Sequence, residues 1–255
     1  MIECGSLEYA QARLQARHGQ RLDETAWHRI EVMRDFSPML ELARGCALRP
    51  WLEGITAATS AREIEVRLRG QWRTRVAEVQ GWMPLDWQPA VAWCAVLPDL
   101  APLQHLARGF GGAPWMTDEP AWRELAQAPP ASRAALLRKG PWAPLASAWP
   151  APDTLVAVWL AQWRRRLPRQ SDDIGDPLST LLRTLAAHGH SFAAAASAQG
   201  WLLRGTLRGQ LTVLLRRAAL EPAVAFTDLA LAALDLERLR AELLRRVLFA
   251  RWKLA

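Results

Sequence analysis

The 255 residues are 51% hydrophobic, rich in Leu and Ala and carrying a single Tyr, which supports a packed helical core and excludes a disordered chain. A formal net charge of +7 rests almost wholly on arginine, since Lys139 and Lys253 are the only lysines; it suits an anionic partner, but the codon usage of a GC-rich genome accounts for it better. Cys4, Cys46 and Cys94 are too few and too far apart for a disulfide framework and read as reduced thiols of a cytosolic protein.

Residues 7–18 read as a short amphipathic helix, with Leu7, Ala10, Leu14 and Arg17 in register and Gly19 placed to close it. Asp23 can cap a second helix carrying Trp27, Ile30 and Val32. Ser37-Pro38 pairs an N-cap with a first-position proline and predicts a third helix, ended by Gly45. Ser60-Ala-Arg-Glu63 has capping-box spacing. It opens a long helix through Ile64, Leu68, Trp72, Val76 and Val79, which the stretch from Gly81 to Pro84 breaks.

Residues 87–108, WQPAVAWCAVLPDLAPLQHLAR, predict two helices bent at Pro98-Asp99, the second carrying Leu100, Leu103 and Leu106. From Gly109 to Pro152, glycine and proline punctuate the chain so heavily that only short helices fit, around 121–127 and 132–137. Trp115, Trp122, Trp142 and Trp149 predict that this stretch packs against something, because flexible tethers lack large aromatics. The chain therefore divides into an N-terminal helical region, 1–109, a connecting region, 110–152, and a C-terminal helical region, 153–255.

In that last region Asp153 can cap a helix over 155–166, Ser171-Asp-Asp-Ile-Gly reads as a polar loop, and Asp176-Pro177 starts a helix over 178–188. Residues 191–217 read as one or two helices weakened by Gly200, Gly205 and Gly209. Beyond Pro222, residues 223–233 lead into a final helix with Asp235 and Glu237 at its start and Arg245, Arg246, Arg251 and Lys253 toward its end, the order a helix dipole favours. The run LALAALDLERLRAELLRR thus repeats the shape of 87–108: a helix, an acidic corner (Asp99, then Asp235) and a leucine-spaced helix. Such recurrence predicts an all-α protein built by duplicating a helical unit.

Residues able to do chemistry are sparse. His188-Gly-His190 is the one close histidine pair, and Asp172, Asp173 and Asp176 lie near enough in sequence to complete a metal site. A glycine-flanked turn after a helix accounts for the same residues without metal. His105 falls on the Leu103–Leu106 helix as a surface or core residue. There is no nucleophile elbow, phosphate loop or dinucleotide fingerprint, so no catalytic residue and no cofactor is expected. The arginine runs 164–166, 216–217 and 245–246, with Trp159 and Trp163 beside the first, could grip nucleic acid through phosphates and stacking, though no nucleic-acid module accompanies them. Arg164, Arg165, Arg166, Arg216, Arg217, Trp115 and Trp142 are the candidate partner contacts.

Several segments together resemble the C-type rotor-subunit family of archaeal-type and V-type rotary ATPases, known as the d-type in eukaryotes. Tyr9-Ala-Gln-Ala-Arg13-Leu14-Gln-Ala-Arg17 is similar to that family's opening helix, and Phe36-Ser-Pro-Met-Leu40 to its next segment. Ile64-Glu65-x-x-Leu68 looks like its Ile/Leu-Glu-x-x-Leu helix. Asp99-Leu100-x-x-Leu103-x-x-Leu106 and the Asp235–Arg246 stretch resemble two copies of its acidic-corner helix pair. The Asn usual after that corner is Pro102 here and Arg238 in the later copy, and this chain is shorter than typical members.

The resemblance implies a divergent, shortened member with a funnel-like, pseudo-threefold helical body. Its partners would be the central-shaft subunits and the membrane proteolipid ring. It would sit on the cytoplasmic face of the membrane, transmit torque during ion transport, and carry no catalytic group or cofactor. The rival expectation is a basic helical adaptor that binds nucleic acid or protein. No apolar run approaches the roughly 20 residues a membrane span requires, and the first residues lack the apolar centre of a signal peptide.

Overall fold

Local capping chemistry sets where the helices begin. The first, α1 (Leu7–Gly19), starts under Ser6, whose side chain accepts a hydrogen bond from the Tyr9 amide. The second, α2 (Glu24–Val32), starts under Asp23, which accepts from the Ala26 amide at 2.7 Å. In α4 (Ala61–Trp82) the capping box is complete: Ser60 Oγ accepts from the Glu63 amide, and Glu63 Oε2 accepts from the Ser60 amide at 2.9 Å. These observations come from a computed structural model, which describes residues 5–168, 176–196 and 199–250, without the side chains of Asp176 and Ala250.

The fold is all-α. Twelve α-helices and several short 3-10 turns, with no strand, make up the described residues. α3 (Phe36–Arg44) begins before the expected Ser37-Pro38 start, with Asp35 as its extended N-cap residue. Pro38 is tolerated there because the first turn of a helix has no use for its missing N–H. α5 (Gln88–Trp93) and α6 (Leu100–Ala107) are joined by a 3-10 turn over Cys94–Asp99 that contains Pro98, so the bend lies where the sequence places it. α7 (Pro120–Gln127) and α8 (Pro130–Lys139) open on prolines.

Three expectations are corrected in the second half, those on Asp153, Gly189 and Asp235. α9 (Leu155–Arg164) stops short of Arg166 and follows Thr154; Asp153 does not cap it, because its carboxylate accepts from Arg108 at 2.6 Å and from Gln104. α10 (Asp176–Ala194) runs through His188-Gly-His190, so Gly189 ends nothing. The expected one or two helices over 191–217 are the end of α10 and α11 (Gly200–Arg217), which tolerates Gly205 and Gly209. α12 (Ala223–Ala250) runs unbroken for 28 residues, so Asp235 marks no corner. The expected Ser171–Gly175 loop, with Cys4, Arg251 and Lys253, lies outside the described residues.

α4 and α12 organise the packing. α4 lies against α1, α5 and α12, and α12 packs on α1, α3, α10 and α11, so the last helix returns to the N-terminal region. Trp27, Trp72 and Trp122 are fully buried. The Trp72 indole donates to the Cys94 carbonyl at 3.0 Å, fixing the bend to α4. A single hydrophobic core runs through all three sequence regions, and the connecting one supplies Trp115, Trp122, Trp142 and Leu145 to it. Gly54 turns the chain with φ +70°, a left-handed conformation that leaves the space over it to the Arg67 guanidinium.

Candidate functional site

Carboxylates are seldom withdrawn from water unless cations and hydrogen-bond donors replace their hydration. This chain buries Glu65, Asp99, Glu119, Asp228 and Asp235. Each meets arginine, and each pairing ties together segments far apart in sequence.

Asp99 closes the 3-10 turn before α6. Its Oδ1 accepts from Arg69 Nη1 at 2.9 Å, with Arg73 Nη2 at 3.8 Å, and its Oδ2 accepts from the Trp142 indole at 2.9 Å. Arg73 also reaches Glu119 at 2.8 Å, and Arg69 lies 3.9 Å from the centroid of the Trp115 ring, close enough for a cation–π contact. Burial raises the Asp99 carboxyl above its ordinary range despite the Trp142 donor and the two arginines, and it lowers the pKa of Arg69.

A second cluster sits on α12. Asp228 and Asp235 are seven residues apart, two helical turns, and so share a face. Arg21, just past α1, donates to Asp228 Oδ1 at 2.6 Å, to the Asp228 carbonyl at 3.0 Å and to Asp235 Oδ2. Arg208 of α11 donates to Asp235 Oδ1 at 2.7 Å. Burial works against the Arg21 cation, but Asp228 and Asp235 together outweigh it and leave its pKa raised. Further along α12, Arg240 forms a two-pronged pair with Glu65 of α4. Arg246 donates to the Ile30 and Met33 carbonyls, both at 2.7 Å, capping the C-terminal end of α2.

The expected partner contacts divide. Trp115 and Trp142 are 8% and 3% exposed, so their surfaces are spent inside the chain and the expectation that they face a partner is corrected. Proline-rich surroundings suggested a surface, but the rings line the Asp99 pocket, in a chain of aromatic contacts through Trp122. Arg166 is half-buried over the Trp93 ring at 4.1 Å, with its Nη1 on the Gln162 carbonyl. Arg164, Arg165, Arg216 and Arg217 are more open, and they sit in two separate places. The first two belong to the end of α9, which packs on α5 and α6, whereas α11 packs on α10 and α12.

His188 and His190 stand two positions apart on α10, about 200° around its axis, so their rings diverge. His188 lies beside Phe192, and His190 Nδ1 is 2.9 Å from the Ala186 carbonyl. Asp172 and Asp173 lie outside the described residues, among which no cluster of three or more His, Cys, Asp or Glu could hold a metal. His105 is exposed and stacked on Phe110. Burial pushes the Cys94 thiol up to about 12 and also raises Cys46, so neither is poised as a thiolate.

Beside the second cluster a cleft of about 540 Å³ opens between α1, α4 and α12, with Arg17, Arg21, Trp51, Arg75, Glu78 and Asp235 among its walls. Sequence reasoning missed the arginines that hold the carboxylates, namely Arg21, Arg69, Arg208 and Arg240, and it missed this cleft. Two signals were available: Arg69 and Arg73 repeat at i, i+4 on one helix, and Asp228 and Asp235 at a heptad spacing on another. No helix among the described residues is long and apolar enough to cross a membrane. No protein family, curated protein or solved structure matches the chain.

Proposed function

We propose that this chain is a non-catalytic central-rotor subunit of an archaeal-type or V-type rotary ATPase, coupling the central shaft to the membrane proteolipid ring during ion transport. The observation that carries the reading is the pair Glu65–Arg240. Glu65 belongs to the Ile64-Glu65-x-x-Leu68 segment and Arg240 to the Asp235–Arg246 segment, each similar to a segment of the C-type rotor-subunit family. The two segments meet, 175 residues apart, in a two-pronged ion pair. Around it the remaining matched residues serve as framework: Leu14, Leu40, Ile64, Leu68, Leu103, Leu106, Leu239 and Leu243 are core, and Asp99 and Asp235 are buried in arginine clamps.

A body that transmits torque has to resist shear between its helices. Ion pairs and indole hydrogen bonds between distant helices favour one packing arrangement over others, and need no nucleophile. In this reading the funnel-like, pseudo-threefold body stays peripheral to the cytoplasmic face of the membrane. Arg164, Arg165, Arg216 and Arg217 would meet acidic surfaces of the ring or shaft. The nucleic-acid alternative has less support, because those arginines are in separate places and, of the two tryptophans beside the first run, Trp163 is buried and Trp159 half-buried.

The test is affinity purification of the tagged chain from membranes of its native host, with mass spectrometry of what accompanies it, and deletion of its gene. Nucleotide-binding head subunits and a ring proteolipid should co-purify in fixed ratio, and deletion should leave ATP hydrolysis without ion pumping. Coupled pumping that survives deletion, or nucleic-acid binding that falls steeply with salt in place of the complex, would overturn the proposal.

A further inference from the structure

We propose that the cleft beside Arg75 is a binding site for a small phosphate-bearing anion. The charge around the cleft points to it independently of any rotor role. Four arginines meet around the cleft and the neighbouring α12 carboxylates: Arg17, Arg21, Arg75 and Arg208. Three carboxylates face them, and all are engaged: Glu78 with Arg17, Asp228 with Arg21, and Asp235 with both Arg21 and Arg208. One positive charge remains, that of Arg75.

Arg75 makes no hydrogen bond and no ion pair among the described residues. Its Nε is sealed from solvent without a partner, and the side chain lines the cleft. The nearest aromatic support, Trp51, has its ring centroid 5.9 Å from the guanidinium carbon, at the outer limit of a cation–π contact. Asp228 keeps Oδ2 unbonded, yet no hydrogen bond joins it to Arg75. Burial drives the Arg75 pKa down to about 10, the response of a cation whose lost hydration is not made good. Nearby, His18 is pushed toward its neutral form by burial first and then by Arg21 and Arg216. Asp228 and Glu78 offset that loss only in part, and Arg17 and Arg21 deepen it, so an anion in the cleft would add the hydrogen bonds and counter-charge that Arg75 is short of.

The walls indicate what kind of anion. Thr74, Gln20 and Gln71 line the same cleft as Arg75, so a hydroxyl and amides stand with the guanidinium fork, Gln71 also donating to Glu53 at 3.3 Å. A tetrahedral oxyanion can take donors from three directions, whereas a planar carboxylate uses two in one plane. The one unmatched positive charge would offset part of the ~1.5 to 2 negative charges of a phosphate monoester, and the polar donors of the walls would take its remaining oxygens. Leu22, Ala47 and Pro50 add apolar wall, and a volume of about 540 Å³ holds more than the phosphate alone.

The experiment is thermal unfolding and isothermal titration of the whole chain with inorganic phosphate, phenyl phosphate, phenol, acetate and sodium chloride at one ionic strength. Phosphate and phenyl phosphate should raise the unfolding midpoint saturably, while phenol, acetate and chloride should not. If phenyl phosphate binds more tightly than phosphate, the ligand is an ester; equal affinity identifies the free ion. Arg75→Met should unfold no more readily than the parent without ligand and should weaken phosphate binding by about tenfold or more. Arg75→Lys, which keeps the charge but loses the fork, should fall between and carries the test if the methionine variant does not fold. Phosphate acting no more strongly than chloride or acetate, or variants that respond like the parent, would end the proposal.

Discussion

Trp142 and Asp99 are joined by one hydrogen bond, the indole Nε1 donating to Oδ2 at 2.9 Å across 43 residues. Through it the proline- and tryptophan-rich stretch is fastened to the bend between α5 and α6. Trp142→Phe keeps most of the ring area and removes the donor, leaving a buried carboxylate oxygen short of a partner. The expected loss is about 1–3 kcal/mol of unfolding free energy, read from urea denaturation. A variant as stable as the parent would mean that the ring's packing alone does the fastening.

Asp99 should also give the protein a pH dependence of defined sign. Burial holds its carboxyl above the ordinary range in the folded chain, while in the unfolded chain it returns to about 3.9. Between those two values the native state holds the proton and the unfolded state does not. The contribution of Asp99 is therefore fully present below the unfolded pKa and is lost as pH rises through the folded one. Compared with Asp99→Asn, the parent should gain in midpoint as pH falls from 7 toward ~4. If the pair with Arg69 outweighed burial, the difference would run the opposite way.

Removing Arg21 should be among the costliest single changes. Asp228 is fully buried and Arg21 is its charged partner, so Arg21→Met strands an anion inside the protein. Breaking one side of such a pair costs about 3–5 kcal/mol. Asp235 retains Arg208, so the damage centres on Asp228, and Arg21→Met combined with Asp228→Asn should recover much of the loss. Chemical denaturation of the two single variants and the double completes the cycle. Strictly additive losses would show that the two side chains act separately.

What the sequence made legible was what neighbours decide. Ser60 with Glu63, and Asp23 before Ala26, announce their caps because every participant lies within one turn. Pro98 announces the bend for the same reason. Asp235 misled because an acidic residue between leucine runs reads locally as a cap. Its carboxylate is instead satisfied by Arg21 and Arg208, 214 and 27 residues away, so the helix has no cause to stop. Trp142 misled in the converse way: its proline-rich neighbours suggest a surface, while the bond that holds it inside belongs to Asp99. The Arg75 cleft had no local signature, because it consists of a charge imbalance among helices that only folding brings together.

Glycine offers a paired test of how far local rules extend. Gly209 lies inside α11 on an exposed position, with nothing within 4 Å of where a Cβ would stand. Gly209→Ala should therefore add ~1 kcal/mol by restoring helix propensity. Gly54 is the opposite case, held at φ +70°. There alanine would carry a left-handed penalty of about 1–2 kcal/mol. Its Cβ would also displace the Arg67 guanidinium, a small addition because that end of the side chain is free to swing. The two variants should shift the thermal midpoint in opposite directions. A destabilised Gly209→Ala would mean that α11 uses its glycine for a close approach by another surface, and an unaffected Gly54→Ala would mean that the turn relaxes out of its left-handed conformation.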